Sequence, residues 1–176
     1  MSTSRKAGTA PLRVPQEARI DWKPVLNPRG PWSALVTAGS GPERVAKHAA
    51  GLVYVSAPYL EKVQIRGAWR FERSVGCSTE ASRERLRLAA CGVTTVCPAV
   101  DMAEMAHARA ALHREDEAPD PLDAAYWRAW SNPLLSAARL IAVPAIPGWD
   151  SCALVWRDLR FALTYNLPVH VYGGLE

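Results

Sequence analysis

The sequence predicts an α/β protein, a three-layer Rossmann-like or flavodoxin-like sandwich built on a parallel sheet. Short β-branched and apolar runs, bounded by Gly, Pro and polar residues, alternate with stretches in which apolar residues recur at helical spacing. Near the C-terminus a strand, a turn, a helix and a second strand follow one another within 140–172, as in a βαβ unit. Crossovers of this kind make neighbouring strands parallel and place helices on both faces of the sheet.

The N-terminal region is predicted to differ from the rest of the chain. Residues 1–30 are rich in Pro, Arg and Ser/Thr without a sustained period, which indicates extended or disordered chain. Residues 1–50 hold eight Lys/Arg and three Asp/Glu, whereas 51–176 hold thirteen and fourteen. We therefore divide the chain into a basic, Pro-rich, partly disordered extension at 1–50 and an α/β domain at 51–176. A basic tail can contact nucleic acid, but a solvated extension is the simpler interpretation. Apolar side chains that can strap it to the body are Val14, Ile20, Trp22, Val25 and Leu26.

The elements predicted for the rest of the chain alternate between helix and strand. In order they are a turn of helix at 32–36, a helix at 42–50, a strand at 52–56, a helix at 79–90 capped by Ser78, a strand at 93–97, a weak helix at 101–112, an aromatic helix from about 119–121, a short helix capped by Ser131 and Asn132 with Pro133 in its first turn, a strand at 140–146, a helix through 154–163 and a strand at 169–172. The acidic residues 115–117 are predicted to form a solvated loop. No Gly-x-Gly-x-x-Gly or Gly-Lys-Ser/Thr motif follows the first core strand, which argues against a dinucleotide or P-loop site.

Composition excludes several classes of protein. The chain is 49% hydrophobic and 22% charged, as in ordinary globular proteins, and no apolar run is long enough for a membrane span. The N-terminus lacks the apolar core of a secretory signal, so we expect a cytoplasmic protein. The four cysteines have neither metal-ligand nor disulfide-framework spacing, and the four histidines form no visible constellation. We therefore predict reduced thiols and no metal or redox cofactor.

The stretch 140–171 carries the candidate site. Ligands of parallel sheets bind outside the carboxyl ends of the strands, where loops meet helix N-termini. The turn at 147–152 leads into the last helix, and Asp158 lies about two turns into that helix, within reach of this crevice. We therefore predict that Asp158 is the reactive carboxylate. The alternative is an ordinary surface acid that pairs with Arg157 or Arg160.

Three pieces of sequence together resemble a known family. They are the strand with Tyr54 followed by the Ser56-Ala-Pro-Tyr59 turn; the aromatic helix Ala125-Tyr-Trp-Arg-Ala-Trp130 followed by Ser131; and Pro147-Gly-Trp-Asp-Ser151 followed by a helix and Pro168-Val169. In this order, over roughly 52–172, they are similar to the nucleoside 2-deoxyribosyltransferase superfamily. The similarity is greatest to a branch of small bacterial and phage proteins of uncharacterised function.

The resemblance implies cleavage of the N-glycosidic bond of a nucleoside or nucleoside 5′-monophosphate. A carboxylate on the last helix attacks the anomeric carbon, and the sugar then passes to another base or to water, as in a retaining glycosidase. Asp158 falls at the nucleophile position, and Tyr54 matches a strand tyrosine that orients the nucleophile. The residues that the resemblance places around the substrate are Ser56, Pro58, Tyr59, Ser131, Gly148, Trp149, Asp150, Ser151 and Cys152. Small-molecule substrates and a homo-oligomeric assembly are implied as partners, with no membrane and no cofactor.

The chain departs from the family pattern at several positions. The family uses Glu where this chain has Asp158, whose carboxylate is one methylene shorter. Ser131 and Arg139 stand where the family often has aspartates, the first of them a proton donor to the leaving base. Cys152 stands where relatives carry a residue that contacts the sugar or its phosphate. Two hypotheses follow: an N-glycosidase or transferase, or a catalytically eroded nucleotide-binding module of the same fold.

Overall fold

A computed structural model describes residues 13–112 and 119–174, and its centre is a five-stranded parallel sheet in the order β1-β7-β6-β2-β5. The strands of this sheet are β1 (Val36–Thr37), β2 (Val53–Val55), β5 (Thr95–Val96), β6 (Leu140–Val143) and β7 (Val169–Val171). A two-stranded antiparallel hairpin is formed by β3 (Gln64–Ile65) and β4 (Ala68–Trp69). The helices are α1 (Lys23–Leu26), α2 (Pro42–His48), α3 (Phe71–Ala90), α4 (Pro98–Ala111), α5 (Ala124–Ala137) and α6 (Ala153–Thr164).

The sheet is buried on both faces, which confirms the predicted three-layer α/β sandwich. Successive residues of a strand point to opposite faces, and β6 shows this clearly. Leu140 and Ala142 belong to the core on the side of α2, α3 and α4. Ile141 and Val143 belong to the core on the side of α1 and α6. Because both faces are covered, all four residues of β6 are buried and its sequence has no alternation of polar and apolar residues.

Residues 13–50 pack against the body, and residues 13–30, which were predicted to be extended or disordered, contain the short helix α1. β1 pairs in parallel with β7, and the α2 side chain Val45 is fully buried. Trp22 is 4% exposed and lies edge-on against Trp149 and Trp156, with ring centroids 4.7 and 5.2 Å away. The predicted packing of this segment on the body is therefore confirmed. Residues 1–12 lie outside the described residues. The division of the chain at residue 50 stays a prediction.

Two of the predicted helix starts lie inside longer helices. The helix predicted to start after Ser78 begins at Phe71, and Ser78 lies inside it with its hydroxyl donating to the carbonyl of Val75. The two helices predicted on either side of Ser131 are one continuous helix, α5, with Pro133 inside it. Both errors have the same physical cause. Ser and Pro favour a helix start locally, but tertiary packing can stabilise a helix that continues past them. The true N-cap of α5 is Asp123, whose carboxylate accepts from two backbone N–H groups.

Three of the four cysteines are buried, as predicted, and all four are free in the structure. None of the helices in the described ranges combines the length and the apolar character that a bilayer crossing needs. The acidic run 115–117 lies outside the described residues.

Candidate active site

A buried carboxylate lies at the carboxyl edge of the sheet. Asp158 is 4% exposed and projects from α6 toward the end of β2, where Ser56 follows the strand directly. The Ser56 hydroxyl donates to Asp158 Oδ2 over 2.7 Å. Asp158 is therefore oriented toward the crevice in which parallel sheets bind ligands, and it is not a surface acid.

The second carboxylate oxygen is held by a neighbouring arginine. Arg157 donates to Asp158 Oδ1 from Nε over 3.0 Å, and its Nη2 lies 2.7 Å from the same oxygen. Nη2 also donates to the hydroxyl of Ser131 in α5 over 3.1 Å. Both oxygens of Asp158 are thus hydrogen-bonded, which is what a buried charge requires.

Tyr54, in β2, lies beside this polar network. Its side chain is 2% exposed and lines the same cavity as Ser131 and Asp158. Burial first, and then the negative charge of Asp158, raise the pKa of Tyr54 well above its ordinary value. Tyr54 is therefore a neutral phenol, which is the form that can donate a hydrogen bond to a carboxylate.

Opposing influences act on the pKa of Asp158. Burial raises it above the ordinary value for aspartate, and this effect outweighs the stabilisation of the anion by Arg157, Ser56 and Tyr54. A raised pKa makes the ionised form more basic and more nucleophilic than a solvated aspartate. Perturbed carboxylates in clefts mark candidate functional sites, although structural ion pairs also produce them.

The cavity at this network is small. Its volume is about 20 Å³, which is room for about one water molecule. Its walls come from β2, α4, α5, α6 and the turn after β2, and the lining residues are Tyr54, Val55, Ser56, Ala57, Tyr59, Pro98, Ala99, Met102, Trp127, Ser131, Leu154, Arg157 and Asp158. A nucleoside therefore fits only if the walls of this cavity move apart.

Five of the residues singled out from the sequence meet at this cavity: Tyr54, Ser56, Tyr59, Ser131 and Asp158. Pro58 is buried beside them in the turn after β2. Tyr59 is held by the hydroxyl of Ser74, which lies 2.7 Å from its own. Whether these residues contact a substrate stays a prediction, but the fold does bring them together.

The turn at 147–152, by contrast, does not line this cavity. Trp149 packs on Trp22, and Asp150 offers its backbone carbonyl to the indole N–H of Trp22 over 2.7 Å. Ser151 is exposed and its hydroxyl donates to the carbonyl of Gly148. Cys152 is buried and donates from Sγ to Glu61 over 3.4 Å. Burial and Glu61 raise the pKa of Cys152 to about 12, so its thiol is un-ionised at neutral pH.

Sequence reasoning missed the roles of Arg157 and of the start of α4. The sequence indicated Arg157 only as an alternative surface partner of Asp158, and the side chains of consecutive helical residues seldom face each other. Pro98 and Met102 also line the cavity. They could have been predicted from their position in the sequence, because α4 begins directly after β5, at the carboxyl edge of the sheet. In the described ranges, no group of three His, Cys, Asp or Glu side chains is arranged to hold a metal ion.

The fold and this network define a Rossmann-like α/β protein with a buried carboxylate site at the carboxyl edge of its sheet. The model of a domain of unknown function, DUF1937, matches residues 51–174, and the chain therefore belongs to that family. Comparisons with curated proteins and with solved structures find no match.

Proposed function

We propose that the Asp158 site cleaves the N-glycosidic bond of a nucleoside or nucleoside 5′-monophosphate, with Asp158 as the nucleophile. The observation that supports this most is the placement of the carboxylate, which is buried at the carboxyl edge and held by Ser56 and Arg157. The resemblance of the three sequence pieces to the nucleoside 2-deoxyribosyltransferase superfamily supplies the substrate class.

In this mechanism a carboxylate oxygen of Asp158 bonds to the anomeric carbon as the bond to the base breaks. The bonding electrons leave with the base, which then takes a proton from solvent. Water or an acceptor base then displaces Asp158 from the sugar, as in a retaining glycosidase. Tyr54 orients the attacking carboxylate, and Arg157 stabilises its negative charge before attack. The cavity has to open for substrate to reach the carboxylate.

A second candidate function, a nucleotide-binding module without catalysis, is favoured by one contact. Arg157 binds Asp158 Oδ1 through two nitrogens and Ser56 donates to Oδ2, so both oxygens already accept hydrogen bonds in this state. Such a site binds a ligand through Arg157 and Ser131 when α5 moves, and it leaves the glycosidic bond intact.

A base-release assay tests the enzymatic proposal. Wild-type protein and Asp158→Ala are incubated with deoxynucleosides and their 5′-monophosphates, with and without an added acceptor base. The matched control is Asp101→Ala, which removes a half-buried helical aspartate paired with Arg85 at 3.9 Å, outside the cavity lining. We expect release by wild type and Asp101→Ala and none by Asp158→Ala.

The outcomes separate the two candidates. Release that needs an acceptor base indicates a transferase, and release without one indicates a hydrolase. Equal release by Asp158→Ala contradicts the assignment of the nucleophile. Thermal stabilisation of wild type by one nucleotide, without release from any substrate, supports the binding module instead.

A further inference from the structure

A second polar chain lies on the opposite face of β7 and plays no part in the Asp158 site. The Ser40 hydroxyl lies 2.7 Å from His170 Nδ1, and His170 Nε2 lies 3.1 Å from His48 Nδ1. These residues are far apart in sequence, since Ser40 follows β1, His48 ends α2 and His170 is the middle residue of β7. A hydroxyl, a buried imidazole and a third group that binds the other imidazole nitrogen form the arrangement of an activated nucleophile.

The position of Ser40 suits attack on a bound molecule. Gly39 has a φ of 59°, so the chain turns sharply between β1 and α2 and presents Ser40 at the carboxyl edge of the sheet. A serine on such a strand–turn–helix connection is exposed at the top of the sheet in α/β hydrolases. The backbone N–H of Ser40 donates to the carbonyl of Val171, which fixes the turn against β7.

A cavity of about 380 Å³ lies in front of Ser40, within the size range of small-molecule sites. It is separate from the small cavity at Asp158 and shares no residue with it. Its walls come from the turns after β1, β6 and β7 and from one side of α3, and its lining residues are Ser40, Gly41, Glu80, Arg83, Glu84, Arg87, Pro144, Ala145, Ile146, Pro147 and Tyr172.

Charged groups at this cavity indicate the kind of ligand. Glu84 is 6% exposed and pairs with Arg87 over 2.9 Å, and Glu80 pairs with Lys62 over 2.7 Å. In the part of the chain that the structure describes, no ion pair involves Arg83, so its charge is available to an anionic group. The apolar side is formed by the Pro144–Pro147 turn, which suits a short carbon chain.

We propose that Ser40, His170 and His48 form an acyl-transfer site, and that the adjoining cavity takes a small carboxylic ester bearing a second, anionic group. Ser40 Oγ bonds to the carbonyl carbon, and its proton passes to His170 Nδ1. The ester C–O bond breaks, and the leaving alkoxide takes that proton. Water then adds to the acyl carbon with His170 again accepting a proton, and Ser40 is restored as the acid leaves.

The hydrogen-bond chain defines the tautomers that this reaction needs. His170 accepts at Nδ1 when its proton is on Nε2, and Nε2–H then donates to the lone pair of His48 Nδ1. Burial, with His48 and Arg44 nearby, lowers the pKa of His170 to about 4, so its lone pair is present at neutral pH. His48 is a positioning residue, because it orients the imidazole of His170 and stabilises the transient imidazolium.

Covalent labelling tests the nucleophile directly. Wild-type protein, Ser40→Ala and the control Ser136→Ala, which changes an exposed serine of α5, are treated with an alkyl fluorophosphonate and digested for mass spectrometry. We expect the label on Ser40 in wild type and Ser136→Ala, and no label on the same peptide of Ser40→Ala. Absence of label on Ser40 in the folded wild-type protein overturns the proposal.

Turnover and positioning are measured with chromogenic esters. Wild type is expected to hydrolyse p-nitrophenyl hemisuccinate faster than p-nitrophenyl acetate, and Arg83→Met is expected to raise KM for the hemisuccinate alone. His48→Leu should slow Ser40 labelling about tenfold or more, whereas His48→Gln, whose amide oxygen still accepts a hydrogen bond, should restore most of the rate. Equal rates in His48→Leu and wild type overturn the positioning role. Equal turnover in Ser40→Ala and wild type overturns the acyl-transfer site.

Discussion

Arg157 and Asp158 are consecutive residues of α6, yet two nitrogens of the Arg157 guanidinium contact one carboxylate oxygen of Asp158, at 3.0 and 2.7 Å. Consecutive helical side chains diverge, so this contact exists only because the arginine bends back to the carboxylate and to Ser131 in α5. The side chains of the pair are 14% and 5% exposed. Asp158 and Arg157 are therefore buried together as an ion pair.

Removing the arginine of this ion pair should strongly destabilise the protein. Arg157→Met leaves Asp158 buried without its cation, and we expect a loss of about 3–5 kcal/mol in the free energy of unfolding. Arg85→Met is the control, since its partner Asp101 is 3.9 Å away and 35% exposed, and about 1 kcal/mol or less should be lost there. Urea denaturation measures both, and a loss below about 1 kcal/mol in Arg157→Met contradicts the ion-pair account.

Tyr54→Phe should impair base release with little change in fold. The substitution removes one hydroxyl from a side chain that is 2% exposed and keeps the ring in the core. Because misorientation of a nucleophile slows attack, we expect kcat to fall by up to about a hundredfold with KM nearly constant. Steady-state kinetics checks this, and an unchanged kcat would show that Tyr54 does not orient Asp158.

The N-terminal strap should contribute measurably to stability. Trp22→Ala removes two aromatic contacts and the hydrogen bond to Asp150, and we expect a loss of about 3–5 kcal/mol in the free energy of unfolding. Trp22→Phe keeps a ring but not the N–H donor, so its loss should be smaller. If thermal and urea unfolding of Trp22→Ala match wild type, the strap does not belong to the folded core.

The close packing of Trp149 against Gly173 predicts that an added methyl group destabilises the protein at Gly173 but not at Gly174. A Cβ at Gly173 would lie 2.8 Å from the Trp149 ring, whereas a Cβ at Gly174 would meet nothing within 4 Å. Gly173→Ala should therefore destabilise the protein by about 1–3 kcal/mol, because a buried tryptophan must shift. Gly174→Ala should unfold like wild type, and equal melting temperatures for the two variants would contradict the packing at Trp149.

His170 should make stability fall in mild acid. Its folded pKa of about 4 lies below the ordinary value of 6.5, so between these values the unfolded chain binds more protons. Stability is then fully present above about pH 6.5 and is lost as pH falls toward 4, by at most about 3 kcal/mol. His48 and Arg44 are the charged or titratable neighbours that lower this pKa, together with burial. Urea unfolding from pH 4 to 7 should show this slope in wild type and a flatter one in His170→Gln.

The periodicity of the chain was sufficient for the fold class, since β2, β5, β6 and β7 are short apolar runs between helical segments. β1 was missed because Val36–Thr37 is only two residues long, and it is a strand only because β7 offers an unpaired edge. The course of α5 through Ser131 and Pro133 was missed for a related reason. Packing of Trp127 and Leu135, both buried, stabilises one helix where local signals indicate two.

The sequence by itself determined the layers of the sandwich, the crevice edge at which a site should lie, and Asp158 as a candidate near that edge. These follow from strand and helix periods, which are local properties of the chain, whereas Tyr54 and Ser56 became candidates only through the resemblance to the nucleoside 2-deoxyribosyltransferase superfamily. Only the tertiary structure decided that Arg157 turns inward to Asp158, that the turn at 147–152 packs on Trp22, and that Ser40, His48 and His170 meet. These contacts join segments up to about 130 residues apart, and their partners are set by strand order and by which side of each strand a residue occupies.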